Sequence, residues 1–164
     1  MYRKKVKTYT AVTVTLRDSA AEVVGYGSIA GATGKDSSAR STEDATVAAV
    51  TGAFSVAHAD GADSVAVASG DCGWSTVQGK GAAAVATGSF GVAGAEAPPG
   101  VALALGASGR AYGILGSWIV LAEHTPEDDI RMVKVFRVDG TQIKPDTYYT
   151  LENGVPIEVD EDDL

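Results

Sequence analysis

From Arg17 onward, the small, apolar and polar positions of this 164-residue chain recur with a period of nine. Gly25, Gly34, Gly52, Gly61, Gly70, Gly79, Gly88 and Gly106 all fall on that period. Division from Arg17 gives eleven units, among them AFSVAHADG, ADSVAVASG and KGAAAVATG. The fifth position reads Ala21, Ala30, Ala39, Ala48, Ala57, Ala66, Ser75, Ala84, Ala93, Ala102 and Ala111. The third is always Ser, Thr, Gly or Ala, and the seventh is Val, Ala, Ser or Gly. Side chains alternate along a strand, so positions three, five and seven share one side, and their small size suits a narrow interior. Glycine at position nine suggests a corner with positive φ. A helix is disfavoured, because the spacing is two rather than 3.6 and a glycine would fall in every second or third turn.

One such unit cannot bury its own face, so units must stack. The sixth position shows how many make a coil. Alternate units read Gly31, Ala49, Val67, Val85 and Leu103, whereas the intervening ones read Glu22, Arg40, His58, Thr76, Gly94 and Tyr112. That asymmetry predicts two different sheets and about 18 residues per coil. Eleven units then form a parallel β-solenoid, all-β, roughly 26 Å long at about 4.8 Å per stacked strand. With positions five and seven inward, one outer face carries Ile29, Val47, Val65, Val67, Val85, Val101 and Leu103. A contiguous apolar patch of that kind marks a contact surface, covered either by a second copy or by the C-terminal segment. The other face carries Glu22, Arg40, His58, Thr76 and Tyr112, the candidate surface for a foreign partner. In the opposite arrangement, with position four inward, the same valines become core.

The repeat ends near Gly116. An apolar strand, SWIVLAEH, follows and is expected to be anchored by Trp118. After the break TPEDD come IRMVKVFRV, a hairpin signal at Asp139-Gly140, TYYTL, a second signal at Glu152-Asn153-Gly154, and VPIEV. These predict an antiparallel β-meander capping the open end, because an unpaired edge invites aggregation. TYTAVTVTL should add a strand at the other end. The organisation read from sequence is thus an N-terminal strand or cap over 1–16, the solenoid over 17–116, the cap over 117–159 and an acidic tail over 160–164.

Composition narrows the function. The formal net charge of −8 argues against nonspecific nucleic-acid binding, which needs clustered cations. Arg3, Lys4, Lys5 and Lys7 make the start basic, and Glu158, Asp160, Glu161, Asp162 and Asp163 make the end acidic; both read as solvated tails. The single cysteine, Cys72, excludes an intrachain disulfide framework. The start lacks the apolar core of a secretion signal, and no apolar run reaches the roughly 18 residues of a membrane span, so a soluble intracellular protein is expected, with no membrane partner.

Catalytic and metal chemistry find little footing. Asp36, Asp44, Asp60, Asp63 and Asp71 do not recur in one column, as a calcium roll would require. His58, His124 and Cys72 have no zinc spacing. Cys72 and His58 lack a nucleophile signature. The carboxylates Glu123, Glu127, Asp128 and Asp129 read as an acidic loop. Gly34-Lys35 is followed by Asp36, not by the hydroxyl residue of a phosphate loop. Thr33, Thr51, Ser69 and Thr87 make only one hydroxyl column, and Phe54, Cys72 and Phe90 a corner ladder. No catalytic, cofactor or metal residue is therefore assigned, no cofactor is expected, and a non-enzymatic protein is.

The motifs GSWIVLAE (116–123), VKVFRVDG (133–140) and IKPDTYYTLENG (143–154), behind tandem nonapeptides, carry a resemblance. Over residues 26 to 160 the chain resembles a bacteriophage and prophage family of unknown function with Gly-x-x-Ser-x-Ala-x-x-x repeats. The resemblance implies a mobile-element origin and brings no activity and no site residues. Residues 64–70, SVAVASG, are more loosely similar to the head repeats of trimeric autotransporter adhesins. The expected function is a self-associating scaffold or protein-binding protein, a dimer or trimer with a host protein as a further partner. The alternatives are an inhibitor of a host defence or nucleic-acid-processing protein, and a virion fibre or decoration component.

Overall fold

A computed structural model of the protein describes residues 9–160. The basic stretch at 3–7 and residues 161–164 of the tail lie outside the described residues. Two eight-stranded sheets face each other across a narrow lumen. Sheet A stacks β1 (Ala11–Val14), β3 (Ile29–Ala32), β5 (Val47–Val50), β7 (Val65–Ala68), β9 (Ala83–Ala86), β11 (Val101–Ala104), β13 (Trp118–His124) and β14 (Ile130–Arg137). Sheet B stacks β2 (Ala20–Val24), β4 (Ser38–Thr42), β6 (Val56–Ala59), β8 (Trp74–Val77), β10 (Val92–Ala95), β12 (Arg110–Gly113), β15 (Tyr148–Glu152) and β16 (Val155–Val159). The chain alternates between sheets, and consecutive strands of one sheet pair in parallel with an offset of 18, as in Val47↔Val65 and Ala57↔Ser75. This is the expected parallel β-solenoid, with antiparallel strands at its C-terminal end.

Positions five and seven face inward. Ala30, Ala48, Val50, Ala57, Ala59, Ala66, Ala68 and Ala84 have essentially no exposure. Alanines from both sheets meet across the lumen, so the two backbones lie close and nothing larger than valine fits along most of its length. The lumen widens only at the C-terminal end, where Ile119, Leu121, Val138, Ile143, Tyr149 and Leu151 fill it.

Position three carries a hydroxyl in the N-terminal coils, and those of Ser37, Ser55 and Ser64 clamp their coil to the one before. Ser55 Oγ accepts the N–H of Ser37 at 3.1 Å and donates to the Gly34 carbonyl at 3.1 Å. Ser64 does the same with Thr46 and Glu43. Where later units have Gly or Ala at this position, the N–H closes its own turn instead, as in Gly73 to Gly70 (3.0 Å) and Gly91 to Gly88 (3.1 Å). The amides of Ser37, Thr46, Gly73 and Gly91 are satisfied in these two ways.

The corners correct one expectation. Among the repeat glycines, Gly34, Gly52, Gly61, Gly70, Gly79, Gly88 and Gly106 do not have positive φ; only Gly25 does. What requires glycine there is stacking. A Cβ on Gly70 would stand 2.2 Å from the Gly52 carbonyl oxygen, and one on Gly88 would stand 2.2 Å from that of Gly70. The left-handed residue is at position two: Asp18, Asp36, Phe54, Cys72, Phe90 and Ser108 at one corner, Gly27, Ala45, Asp63 and Gly81 at the other. Phe54, Cys72 and Phe90 do share a corner column, and all three are exposed.

Two expectations about the C-terminal segment also change. Trp118 aligns with Val101, 17 residues back rather than 18. The missing residue turns Trp118 outward, 41% exposed, and makes Ile119 and Leu121 the fully buried anchors. The segment is not one meander. β14 pairs antiparallel with β13 and ends sheet A, whereas β15 pairs with β12 and, with β16, ends sheet B. Asp139-Gly140 is the turn that carries the chain across. Asn153-Gly154 (φ 50° and 73°) is a true hairpin turn, and Glu123 fixes it by accepting the Gly154 N–H at 2.7 Å while paired with Arg131 at 2.8 Å.

Asp139 organises the crossing turn by accepting the N–H groups of Thr141 (2.8 Å), Gln142 (2.9 Å) and Ile143 (3.3 Å). Those bonds, led by Thr141, lower its carboxyl from 3.8 to about 2. A depressed carboxyl stabilises the fold above its unfolded pKa, and that contribution is lost as pH falls through the folded value. Asp139→Asn should therefore flatten the acid dependence of the urea midpoint between about pH 4 and pH 2. Gly70→Ala should cost about 1–3 kcal/mol through overpacking against backbone, whereas Ala45→Gly, at φ 57°, should gain about 1 kcal/mol by relieving left-handed strain. Urea unfolding of the two variants checks both signs.

Candidate interaction faces

Positions four and six point outward on both sheets, and of the residues assigned to the two faces Thr76 alone is buried. On sheet A, Ile29, Val47, Val65 and Val101 form one column and Val67, Val85 and Leu103 the next, in register from strand to strand. Ile29 is 46% exposed and the others are partly exposed. The face is larger than the repeat alone indicated. Trp118 and Val120 of β13 extend both columns, and Val135, opposite Val120, carries the surface onto β14. β14, β15 and β16 prolong the two sheets instead of folding over this face, so among the described residues the C-terminal segment does not cover it. Of the two covers expected from sequence, that one is removed.

On sheet B, Glu22, Arg40, His58, Thr76, Gly94 and Tyr112 stand in one column, one per strand. The column is largely bonded to itself. Arg40 donates to Asp60 at 2.7 Å, the His58 Nε2 lies against the other Asp60 oxygen, and His58 Nδ1 meets the Thr76 hydroxyl. Asp60 to His58 to Thr76 has the connectivity of a nucleophilic relay, but Thr76 is only 7% exposed. The N–H groups beside it are committed to the ladder, that of Gln78 to Ala59 (3.0 Å) and that of Trp74 to Ser55 (2.9 Å), and offer no oxyanion site. The arrangement ties three coils together.

No protein-family model, curated protein or solved structure matches the chain.

The C-terminal half of sheet B holds a group that the repeat columns did not reveal. Tyr112 lies over Gly94, where a Cβ would stand 2.3 Å from its ring. Its hydroxyl donates to Glu96 Oε1 at 2.6 Å, and Gln78 Nε2 donates to Glu96 Oε2 at 2.8 Å. Burial, then the hydrogen bond and charge of Glu96, push the Tyr112 hydroxyl far above its ordinary range, with the Trp74 indole acting the other way, so it is a fixed donor. Tyr148 of β15 packs against Tyr112 with ring centres 4.8 Å apart and planes tilted by 57°, and meets Trp74 edge-on at 6.0 Å. Val92, paired with Trp74 on the adjacent strand, is 4% exposed. The sequence held one usable signal: Asp60, Gln78 and Glu96 are 18 apart at position eight, a polar ladder beside the assigned column. Tyr148 has no such signal, because it arrives from the cap.

A polar cleft of about 420 Å³ lies between the corner at Ser108, the end of β13 and the Asn153 hairpin. Its buried carboxylate, Glu123, is already committed to Arg131 and Gly154, so it serves the hairpin. Among the described residues, no three His, Cys, Asp or Glu side chains gather in a metal-binding group.

Gly94→Ala should displace the Tyr112 ring and uncouple it from Glu96. The expected outcome is a loss of near-ultraviolet dichroism from the aromatic cluster, at a stability cost of about 1–3 kcal/mol, with far-ultraviolet dichroism unchanged.

Proposed function

We propose that the protein is a non-enzymatic, self-associating β-solenoid scaffold of phage or prophage origin, acting in the host cytoplasm, with the outer face of sheet A as the seam between copies. The observation that carries this reading is the continuous apolar surface from Ile29 to Val135, left open by the cap. A solvent-exposed row of valines with Leu103 and Trp118 is costly for a lone chain and is relieved by a second face of the same kind. The mobile-element origin rests on the resemblance of the repeats and of the GSWIVLAE, VKVFRVDG and IKPDTYYTLENG motifs.

Size sets the strength expected of the contact. Eight strands of about four residues present a flat area near 34 Å by 13 Å, about half of the roughly 800 Å² per partner of a standard interface. The association should therefore be reversible, with a mass that rises with concentration, unless partner strands from the longer β14 enlarge it.

Light scattering after size exclusion tests the seam. The wild type should exceed the monomer mass at tens of micromolar, and Val67→Asp, a change at an outward position in the middle of the face, should give a folded monomer. A wild type that stays monomeric at every concentration removes the scaffold reading and directs attention to a foreign partner on the same face.

A further inference from the structure

We infer that the Trp74–Tyr112–Tyr148 cluster on sheet B, with Glu96 and Gln78 beside it, is a binding site for a neutral oligosaccharide. The site lies on the sheet opposite the proposed seam and does not depend on it.

The argument starts from which hydrogen-bonding groups the site has left to offer. Glu96 is held from both sides, one oxygen by the Tyr112 hydroxyl and the other by the Gln78 amide. A carboxylate has about four lone-pair directions, so these bonds leave about two unused, one on each oxygen. Gln78, exposed next to it, adds an amide carbonyl. The Tyr112 proton is spent on Glu96. The patch is therefore rich in oriented acceptors, and its ligand must bring donors. Two adjacent hydroxyls of a sugar ring donate to the two oxygens of one carboxylate, and a carboxylate fixed in advance loses little entropy in receiving them.

The aromatic rings supply the other half of sugar recognition. Trp74, Tyr112 and Tyr148 each remain partly exposed, within 6.0 Å of one another along Trp74–Tyr148 and Tyr148–Tyr112. Their planes are inclined, by 57° between Tyr112 and Tyr148 and by 81° between Trp74 and Tyr148, so they make an angled apolar wall beside the acceptors; the C–H face of a pyranose rests on one ring of it with the polar edge of the sugar turned toward Glu96. Gly94 keeps this wall low, since any side chain there would lift Tyr112 off the sheet. Competing ligands fit less well. A polyproline peptide also stacks on aromatic rings, but it presents only carbonyl acceptors and needs donors in return. Phosphate and other anions are repelled by Glu96 and by the net charge of −8.

The chain has two tryptophans, Trp74 on sheet B and Trp118 on sheet A. Trp118→Phe in the whole protein leaves Trp74 as sole reporter, so events on the two faces are read separately. The probes are free malto-, chito-, manno- and galacto-oligosaccharides, with decaproline and oligolysine as the competing chemistries. At least one sugar should shift Trp74 emission saturably and independently of salt. Glu96→Gln, which keeps the shape but converts an acceptor into a donor, should weaken that binding by roughly tenfold or more. A response to decaproline alone, a response to oligolysine that salt abolishes, no response to any probe, or sugar binding indifferent to Glu96→Gln and Gln78→Ala would each overturn the assignment.

Discussion

The strands from β3 to β10 find their backbone partners 18 residues away on either side and nowhere else. A nine-residue unit has a strand too short to fold back on itself, and its amides would face water or nothing without neighbouring coils. Stacking distance is therefore the quantity that the rest of the molecule must respect. Position nine is glycine because the turns have to approach as closely as the strands do. The buried hydroxyls of Ser37, Ser55 and Ser64 bond to the coil before because that is where unsatisfied groups lie. The lumen is alanine because two sheets joined by such short corners cannot move apart.

The same constraint divides function from structure unusually cleanly. Inward positions are fixed by the lumen and corner positions by the stack, which leaves positions four, six and eight to vary. Sheet A uses positions four and six for a nearly uniform apolar surface, edged at position eight by Thr33, Thr51, Ser69 and Thr87. Sheet B uses the three positions for ion pairs and hydrogen bonds in its N-terminal half and for aromatic rings around a pinned carboxylate in its C-terminal half. The ends are treated differently again. The terminal strand of sheet A carries Arg131, Lys134 and Arg137, and that of sheet B carries Pro156 and Glu158, the residue types that discourage a further strand from adding.

Much of this was legible in the sequence because a repeat reports the same constraint many times. Eleven readings of the fifth position fix the inward side, and the alternation at the sixth fixes the coil length. What occurs once was harder to see. The coil that loses a residue before Trp118 inverts the following strand. Ser117, read as a position-three residue, was the one clue. Hairpin signals at Asp139-Gly140 and Asn153-Gly154 are local, and they do not say that the chain changes sheets between them. The left-handed corner has no residue signature, because Asp, Phe, Cys, Ser and Ala occupy it as well as Gly. The aromatic cluster depends on Tyr148, whose place beside Tyr112 is decided by which sheet edge was open when the repeat stopped.

The alternation of two unlike faces also restricts how such a gene can change length. Loss or gain of 18 residues removes or inserts a whole coil and leaves both surfaces continuous. Loss or gain of nine would carry every downstream strand to the opposite sheet, cutting the valine surface in two and placing arginine and histidine columns in line with it. Slippage during replication of tandem nonapeptides yields both kinds of product, but only the even multiples keep both faces continuous. Length in this architecture is thus inherited in steps of two units, a rule imposed by the shape of the protein on the DNA that encodes it.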